Sequence, residues 1–371
     1  MAGHALVVGA GIYGLCTAWS LTKRGWRVTL VDRGPIPNPS NSSYDEHRII
    51  RHAYGAMRGY ALMMPAAFHA WDDLWSDLGR DHLEKTTQLY CLRLETDWYE
   101  KVSRDLDDLG IAYRDLPLDA LDQYPMISRR DLKRVVETDG SGLLFADRIV
   151  EDLCAWLSRQ PTVTLRANRA IDAIDPVTAT ARAGSETLTA DKLVVATGVW
   201  IERLIGPLPE RPKPSIQVVL YLNPPADYRA AWATSPLISN RLNHPAAGTY
   251  ILPPLRGSRL KVGIHAHSLI GDPEQPWLPT PALIEGVREA AALTIADFER
   301  YQVTEAKACY YSVTPDDHLA VRPMTDAAWL ISACSGHGFK LAALLGQKLA
   351  AALDGDGASS LPDYAAGRVG V

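Results

Sequence analysis

Cysteine is scarce in this chain and has no pattern. Cys16, Cys91, Cys154, Cys309 and Cys334 are an odd, widely spread set without a C-x-x-C pair. That argues against a disulfide framework and against a zinc site, and it sets the expectation of a reducing, cytoplasmic compartment. Long apolar runs are missing too. The apolar start lacks a basic stretch and is broken by glycines, so neither a secretory signal nor a bilayer span is expected, and no membrane partner. Nor is there much excess charge: 38 Lys and Arg against 43 Asp and Glu leave a net charge of -5, which provides no electrostatic footprint for nucleic acid. There is no internal repeat and no long low-complexity segment. What remains is 371 residues, 47% hydrophobic and 22% charged, a globular composition suited to small-molecule chemistry.

The richest stretch is the first, ALVVGAGIYGLCTAWSLTKRGWRVTLVDR, Ala5 to Arg33. An apolar run, a glycine-rich turn, a helical segment and a second β-branched run ending in Asp32 follow in the order of a dinucleotide-binding β-α-β unit. Gly9 permits the tight turn, Gly11 leaves room for a pyrophosphate against the backbone, and Gly14 lets the helix pack closely on the sheet. Asp32 stands where an acceptor for ribose hydroxyls belongs. Small residues also pack helix on strand for structural reasons alone, but here all the parts occur in order.

The Pro- and Ser-rich loop after Asp32 leads to YDEHRIIRHAYG, Tyr44 to Gly55. Read as a helix, it sets Arg48 and Arg51 one turn apart, where they are either surface arginines or cations awaiting an anion. Helical spacing recurs from Pro65, suited to a first turn, to Gly79, and again from Trp98 to Leu109. Trp71 and Trp75 read as core. A helix is expected from about Arg148 to Ser158. Leu193 to Val195 form a wholly apolar strand followed by Ala-Thr-Gly, as in a parallel sheet buried on both faces. It arrives so long after the first strand that the nucleotide domain is expected to be discontinuous. QVVLYL, TYILPP and RLKVGIH carry further β structure, and WLISACSGHGFKLAALLGQKLAAAL closes the chain with a strand, a glycine-rich turn and an amphipathic helix.

Six motifs together, GAGIYG, RIIRHAYG, ATGVW, LKVGIH, KACYYSVTPD and SGHGFK, resemble in order and spacing the sarcosine oxidase group of the D-amino-acid-oxidase-like flavoproteins, a family that includes N-methyl amino acid and cyclic imino acid oxidases. The resemblance implies an α/β fold: an FAD-binding Rossmann-like domain of the glutathione-reductase type, with an interleaved β-rich α+β substrate domain. The division expected is 1–83, 145–214 and 316–371 for FAD, with 84–144 and 215–315 for substrate. FAD is the implied cofactor. Cys309, in Lys307-x-Cys309-x-Tyr311-Ser312-x-Thr314-Pro315-Asp316, matches the family's 8α-S-cysteinyl attachment point, whereas the other cysteines read as inert small hydrophobes. Neighbouring cations such as Arg48 are expected to lower the Cys309 thiol pKa.

By the same resemblance Arg51 and Lys340 hold a substrate carboxylate, and Tyr250 and Tyr311 line the substrate side, though core tyrosines are an alternative. Arg33, Gly198, Trp200, Gly336, Gly338 and Phe339 join Gly9, Gly11, Gly14 and Asp32 around the cofactor. The turn through Gly336 and Gly338 would aim helix N-terminal amides at the flavin. In RLKVGIH, alternation sets Lys261, Gly263 and His265 on one face. Lys261 is expected at the oxygen-reactive side of the flavin, Gly263 to clear space for the flavin ring, and His265 to meet the amine. Lys261 as an edge-strand lysine is the alternative. Arg241 falls where sarcosine oxidases have an apolar residue, and either meets an acidic substrate side chain or is solvated. The activity implied is oxidation of a secondary-amine amino acid to an imine, with molecular oxygen reduced to hydrogen peroxide, by a cytoplasmic monomer. A biosynthetic oxidase of a cyclic imine or amine carboxylate, a dehydrogenase with another acceptor and a non-catalytic flavin subunit stay open as alternatives.

Overall fold

The computed structural model describes residues 3–368 apart from 96, 245, 246 and 333; the outer limits of the division above, 1 and 371, lie outside these. The first strand, His4–Val8, is apolar from Ala5 onward, and Ala5, Leu6 and Val7 are fully buried. A strand covered on both faces needs parallel neighbours, and it has them in Arg27–Val31 and Lys192–Val195. Val163–Arg166 and Ala328–Ser332 extend the sheet in parallel, and Ala320–Pro323 closes one edge antiparallel, making six strands. This is the Rossmann-like layer expected for the nucleotide.

Two helices cover one face of that sheet. Ile12–Lys23 leaves the first strand through Gly9, whose φ of 104° suits glycine, and a Cβ on Gly14 would lie 1.8 Å from the Gly9 carbonyl oxygen. Ala342–Leu353 packs beside it, with Gly346 so close that a Cβ would meet Cys16 backbone at 2.7 Å. The amphipathic character expected of this last helix is not found. It is buried on nearly every side between Ile12–Lys23 and the helix Arg58–Leu78, which its run of alanine and glycine makes sterically possible.

Arg58–Leu78 also departs from expectation at its start, since Pro65 sits inside the helix rather than in its first turn. It ends at Gly79 in the left-handed conformation, as spacing suggested. Trp71 and Trp75 are core, and Trp71 Nε1 donates to the Lys340 carbonyl at 2.8 Å, tying this helix to the glycine-rich turn.

The larger sheet has nine strands. In spatial order they are Gln302–Val313, Lys213–Asn223, Leu260–Ile264, Gly248–Leu252, Leu237–Arg241, Leu83–Leu92, Arg134–Leu144 and Arg48–Ile50, with Tyr113–Leu116 also pairing onto Arg134–Leu144. Arg48–Ile50 corrects the helical reading of that segment. Two consecutive isoleucines favour an extended backbone, and pairing of Arg48 with Leu144 and Ile50 with Gly142 fixes it as a strand. The helix Pro281–Thr294 covers the far face, over a core including Leu220, Ile251, Val262 and Val287. Among the described residues no helix is long and apolar enough to cross a membrane.

The contact at Gly14 is against backbone and cannot be relieved by a rotamer change, so Gly14→Ala should lower the urea midpoint, by about 1–3 kcal/mol of overpacking or more, and weaken nucleotide retention. An unchanged midpoint would contradict this packing.

Candidate active site

One face of the nine-stranded sheet carries most of the chemistry. Pairing places Cys309 opposite Gln217, Val219 opposite Gly263, Gly263 opposite Tyr250, and Tyr250 opposite Ser239, so these side-chain positions share a face. Period-two alternation then brings Lys307, Tyr311, Lys261, His265 and Arg241 to the same side. The face looks toward the Rossmann-like layer, and two adjoining cavities lie along it.

The larger cavity is a cleft of about 940 Å³. Gly9, Gly11, Asp32, Arg33, Gly198, Trp200, Cys309, Gly336, Gly338 and Phe339, all expected around the cofactor, line it; Gly14 lies behind, against Gly9. Asp32 accepts from the amides of Ala10 and Gly34, each at 2.8 Å, which holds its carboxylate at the mouth of the turn. Arg33 stacks on Trp200 at 5.0 Å and pairs with Glu274 at 3.2 Å. Ser43 accepts from the amide of Ile12 at 2.9 Å, at the N-terminus of the first helix. Buried polar atoms of Tyr13, Asn41 and Thr197 along this cleft have no hydrogen-bond partner among the described residues. Orphaned donors and acceptors beside a helix N-terminus are what a polar, phosphate-bearing ligand satisfies, so the residues present fit FAD. Sequence reasoning missed Asn41, Ser43 and Thr197, which lie in loops without periodicity.

The smaller cavity, about 230 Å³, shares a wall with the cleft at Asp45, Arg48, Cys309, Tyr311, Gly336 and Phe339. At that wall sits a residue the sequence did not single out. Asp45 is buried, 5% exposed, and is bound by Arg48, by Lys261 Nζ at 2.7 Å, by Lys307 Nζ at 3.5 Å and by the Tyr221 hydroxyl. Burial alone would raise its carboxyl, but Arg48, Lys261 and Lys307 together hold it well below the usual carboxylate range. The one available signal was an acid three residues before Arg48, too common to carry weight. Lys261 also donates to the His47 carbonyl at 2.7 Å, and burial pushes its ammonium down to about 8 against the pull of Asp45.

Two expectations change here. Burial pushes the Cys309 thiol up to about 11, outweighing Arg48 and Lys261, which pull it down. Gly263 does clear space for a ring, but the ring is Tyr250's, whose hydroxyl would be 2.3 Å from a Cβ at Gly263.

Arg51, Lys340, His265, Tyr250 and Tyr311 all line the smaller cavity, whereas Arg241 is outside its lining. Lys340 is 7% exposed, with Nζ 5.3 Å from the Tyr54 ring, and burial followed by the Arg51 charge pushes its ammonium down to about 7. His265 is pushed down to about 3 by burial and then by Arg51, Arg241 and Lys340, so it is neutral. Of the two acids in this lining, Asp45 is engaged as above, and Asp317 is half exposed beside His267 at 3.5 Å, paired with neither Arg51 nor Lys340. Two cations thus share a low-dielectric cavity without a carboxylate of the described residues to neutralise them, and such an arrangement selects an anion. Among the described residues no cluster of His, Cys, Asp or Glu could hold a metal.

The family described as FAD dependent oxidoreductase matches residues 4–352. The chain is 27% identical over 369 residues to monomeric sarcosine oxidase of Bacillus sp., covering 93% of this chain and 91% of that protein. It is 26% identical over 361 residues to peroxisomal sarcosine oxidase of Mus musculus, covering 93% and 90%. Its fold is similar to that of L-proline dehydrogenase from P. horikoshii, with a TM-score of 0.83 at 17% identity over 98% of this chain and 97% of the other.

Carboxylate affinity should depend on the protonation of Lys340. Above about pH 7 free Lys340 loses its charge, so propionate binding, measured by calorimetry, should weaken by about tenfold as the pH rises from about 6 to 8. The profile should flatten in Lys340→Gln; a flat wild-type profile would exclude Lys340 from the anion site.

Proposed function

The chain belongs to the FAD-dependent oxidoreductase family, and from that premise we propose that it oxidises an amino acid carrying a secondary amine, an N-methyl or cyclic imino acid, to an imine. The observation that carries this is the pair of uncompensated cations, Arg51 and Lys340, facing neutral His265 in a cavity walled from the cofactor cleft by Cys309 and Tyr311. Bound FAD supplies a two-electron acceptor for the CH–NH bond of the substrate. Arg51 and Lys340 bind the carboxylate and thereby orient that bond, work worth about 1.5–3 kcal/mol for each charge-assisted contact. His265 accepts or donates a hydrogen bond at the amine without adding a charge that would hold it protonated. Tyr250 and Tyr311, both half-buried with phenols raised by desolvation, stay neutral and limit the access of water. The substrate loses two electrons and two protons in becoming C=N, and water hydrolyses the imine. Relatives named sarcosine oxidase support the choice of substrate class.

Cys309 is the residue proposed to hold FAD covalently, with Arg48 and Lys261 as the nearby cations that favour its thiolate against burial. Dioxygen is the proposed acceptor, yielding hydrogen peroxide, with Lys261 as the charge that assists electron transfer to it. One observation favours a second reading. Asp45 engages the Lys261 ammonium at 2.7 Å and compensates its charge, which suits a dehydrogenase passing electrons to another acceptor. A cytoplasmic setting, the monomeric state and the five-segment domain division are part of the same proposal.

Acid precipitation tests the attachment: flavin should stay in the wild-type pellet and wash out of Cys309→Ala. A colourless wild-type pellet from flavin-loaded protein would overturn it. Stopped-flow measurement of the two half-reactions tests the activity. Anaerobic mixing with N-methyl amino acids, proline or pipecolate should bleach the flavin with at least one of them, and no bleaching with any would overturn the reading. Lys261→Met should then slow reoxidation by oxygen at least about tenfold while reduction persists; slow reoxidation already in the wild type would select the dehydrogenase.

A further inference from the structure

The positive charge at the substrate end of the site exceeds what one amino acid carboxylate neutralises. Arg241 ends the strand Leu237–Arg241 and pairs with Gly248, whose carbonyl in turn accepts from the His265 amide at 3.1 Å. Arg241, Gly248 and His265 therefore form a row across three adjacent strands on the cavity face of the sheet. Gly248, in the middle of the row, has no room for a side chain, since a Cβ there would lie 2.0 Å from the Asn240 carbonyl oxygen and 3.3 Å from the His265 ring. The Arg241 guanidinium stands 5.9 Å from the Trp98 ring, and Trp98 packs on Tyr90 at 4.8 Å, the tyrosine beside Arg51. Arg241 is half-buried, and the only charge that shifts it is Arg51, another cation. No ion pair joins Arg51, Lys340 or Arg241 to a carboxylate of the described residues: Asp45 is held by Lys261 and Lys307, and Asp317, half exposed, stands 3.5 Å from His267, a ring whose charged form burial disfavours. Three cations without a paired carboxylate of the described residues meet around a neutral histidine.

We infer that the substrate carries a second anionic group and that Arg241 receives it, so that the enzyme acts on an N-substituted amino dicarboxylate whose α-carboxylate lies between Arg51 and Lys340. This rests on the amino acid oxidation proposed above and names the class of amino acid. The row also sets the length. Two strand spacings separate the His265 and Arg241 positions, about 10 Å. An acid group carried two or three bonds beyond the α-carbon, met by the reach of an arginine, spans that gap, which selects side chains of aspartate or glutamate size. Gly248, between the two, places no side chain across that gap. Trp98 confines the guanidinium from the other side.

The holoenzyme tests this by equilibrium binding, separately from turnover. Calorimetric titration with succinate and glutarate should give affinities about tenfold or more above those for butyrate and valerate of matching length, because a second charge-assisted contact is made. In Arg241→Gln the dicarboxylates should fall to the affinity of the monocarboxylates, and Arg241→Lys should recover part of the difference. Equal wild-type affinity for mono- and dicarboxylates would overturn the inference, as would a preference that survives in Arg241→Gln. Anaerobic flavin bleaching supplies the second arm: N-methyl-L-glutamate or N-methyl-L-aspartate should reduce the flavin at least about tenfold more efficiently than sarcosine. Bleaching by sarcosine with no gain from the acidic analogues would overturn the dicarboxylate class and leave amine oxidation standing. A clear dicarboxylate preference in binding with no amine bleaching the flavin would do the reverse.

Discussion

The buried carboxylate of Asp45 is the interaction on which the site depends. It stands in the loop between the nucleotide-binding unit and the larger sheet, and its partners come from separate strands: Arg48 from Arg48–Ile50, Tyr221 from Lys213–Asn223, Lys261 from Leu260–Ile264 and Lys307 from Gln302–Val313. Desolvating a carboxylate is costly, and only the surrounding donors offset it; removal of one member of a buried ion pair costs about 3–5 kcal/mol. The loop is therefore held against the sheet at the wall between the two cavities, where the proposed cofactor and substrate would meet.

The charge around this wall is divided into two unequal zones. Near Cys309, Arg48, Lys261 and Lys307 share one carboxylate, leaving a net positive environment that is nevertheless structurally satisfied. Beyond Tyr250 and Tyr311, Arg51 and Lys340 have no such partner among the described residues, and burial, followed by the Arg51 charge, depresses the pKa of Lys340. A protein keeps an uncompensated buried charge only where something else neutralises it, and a ligand is the remaining candidate. The first zone suits an electron-rich cofactor, the second an anionic substrate. Trp71 connects the second zone to the core by holding the Lys340 carbonyl, so Lys340 is positioned by packing as well as by charge.

Sequence periodicity was informative wherever one element determined the outcome. Alternation in RLKVGIH set Lys261, Gly263 and His265 on a common face, and the pairing with Gly248–Leu252 bears that out. The same local logic failed at Arg48–Ile50, where a plausible helix is a strand because Arg134–Leu144 offers it backbone partners. It failed in a different way at Gly263. The absence of a side chain correctly announced the approach of a ring, but whether the ring belonged to a ligand or to Tyr250 depended on a neighbouring strand.

By itself the sequence determined the glycine turn with its acid at Asp32, the apolar strands of the nucleotide domain, and the Cys309 and glycine-rich turn motifs that carry the family resemblance. These are local: spacing of a few residues decides which backbone conformation and which close approach are possible. Tertiary structure alone decided that Asp45 compensates Lys261, that burial rather than nearby cations governs Cys309, and that Arg51, Lys340 and His265 share one cavity from which Arg241 is set one strand aside. Those outcomes depend on which distant charges meet and how much water is excluded between them. Coulombic and desolvation energies act through space, so no reading along the chain contains them.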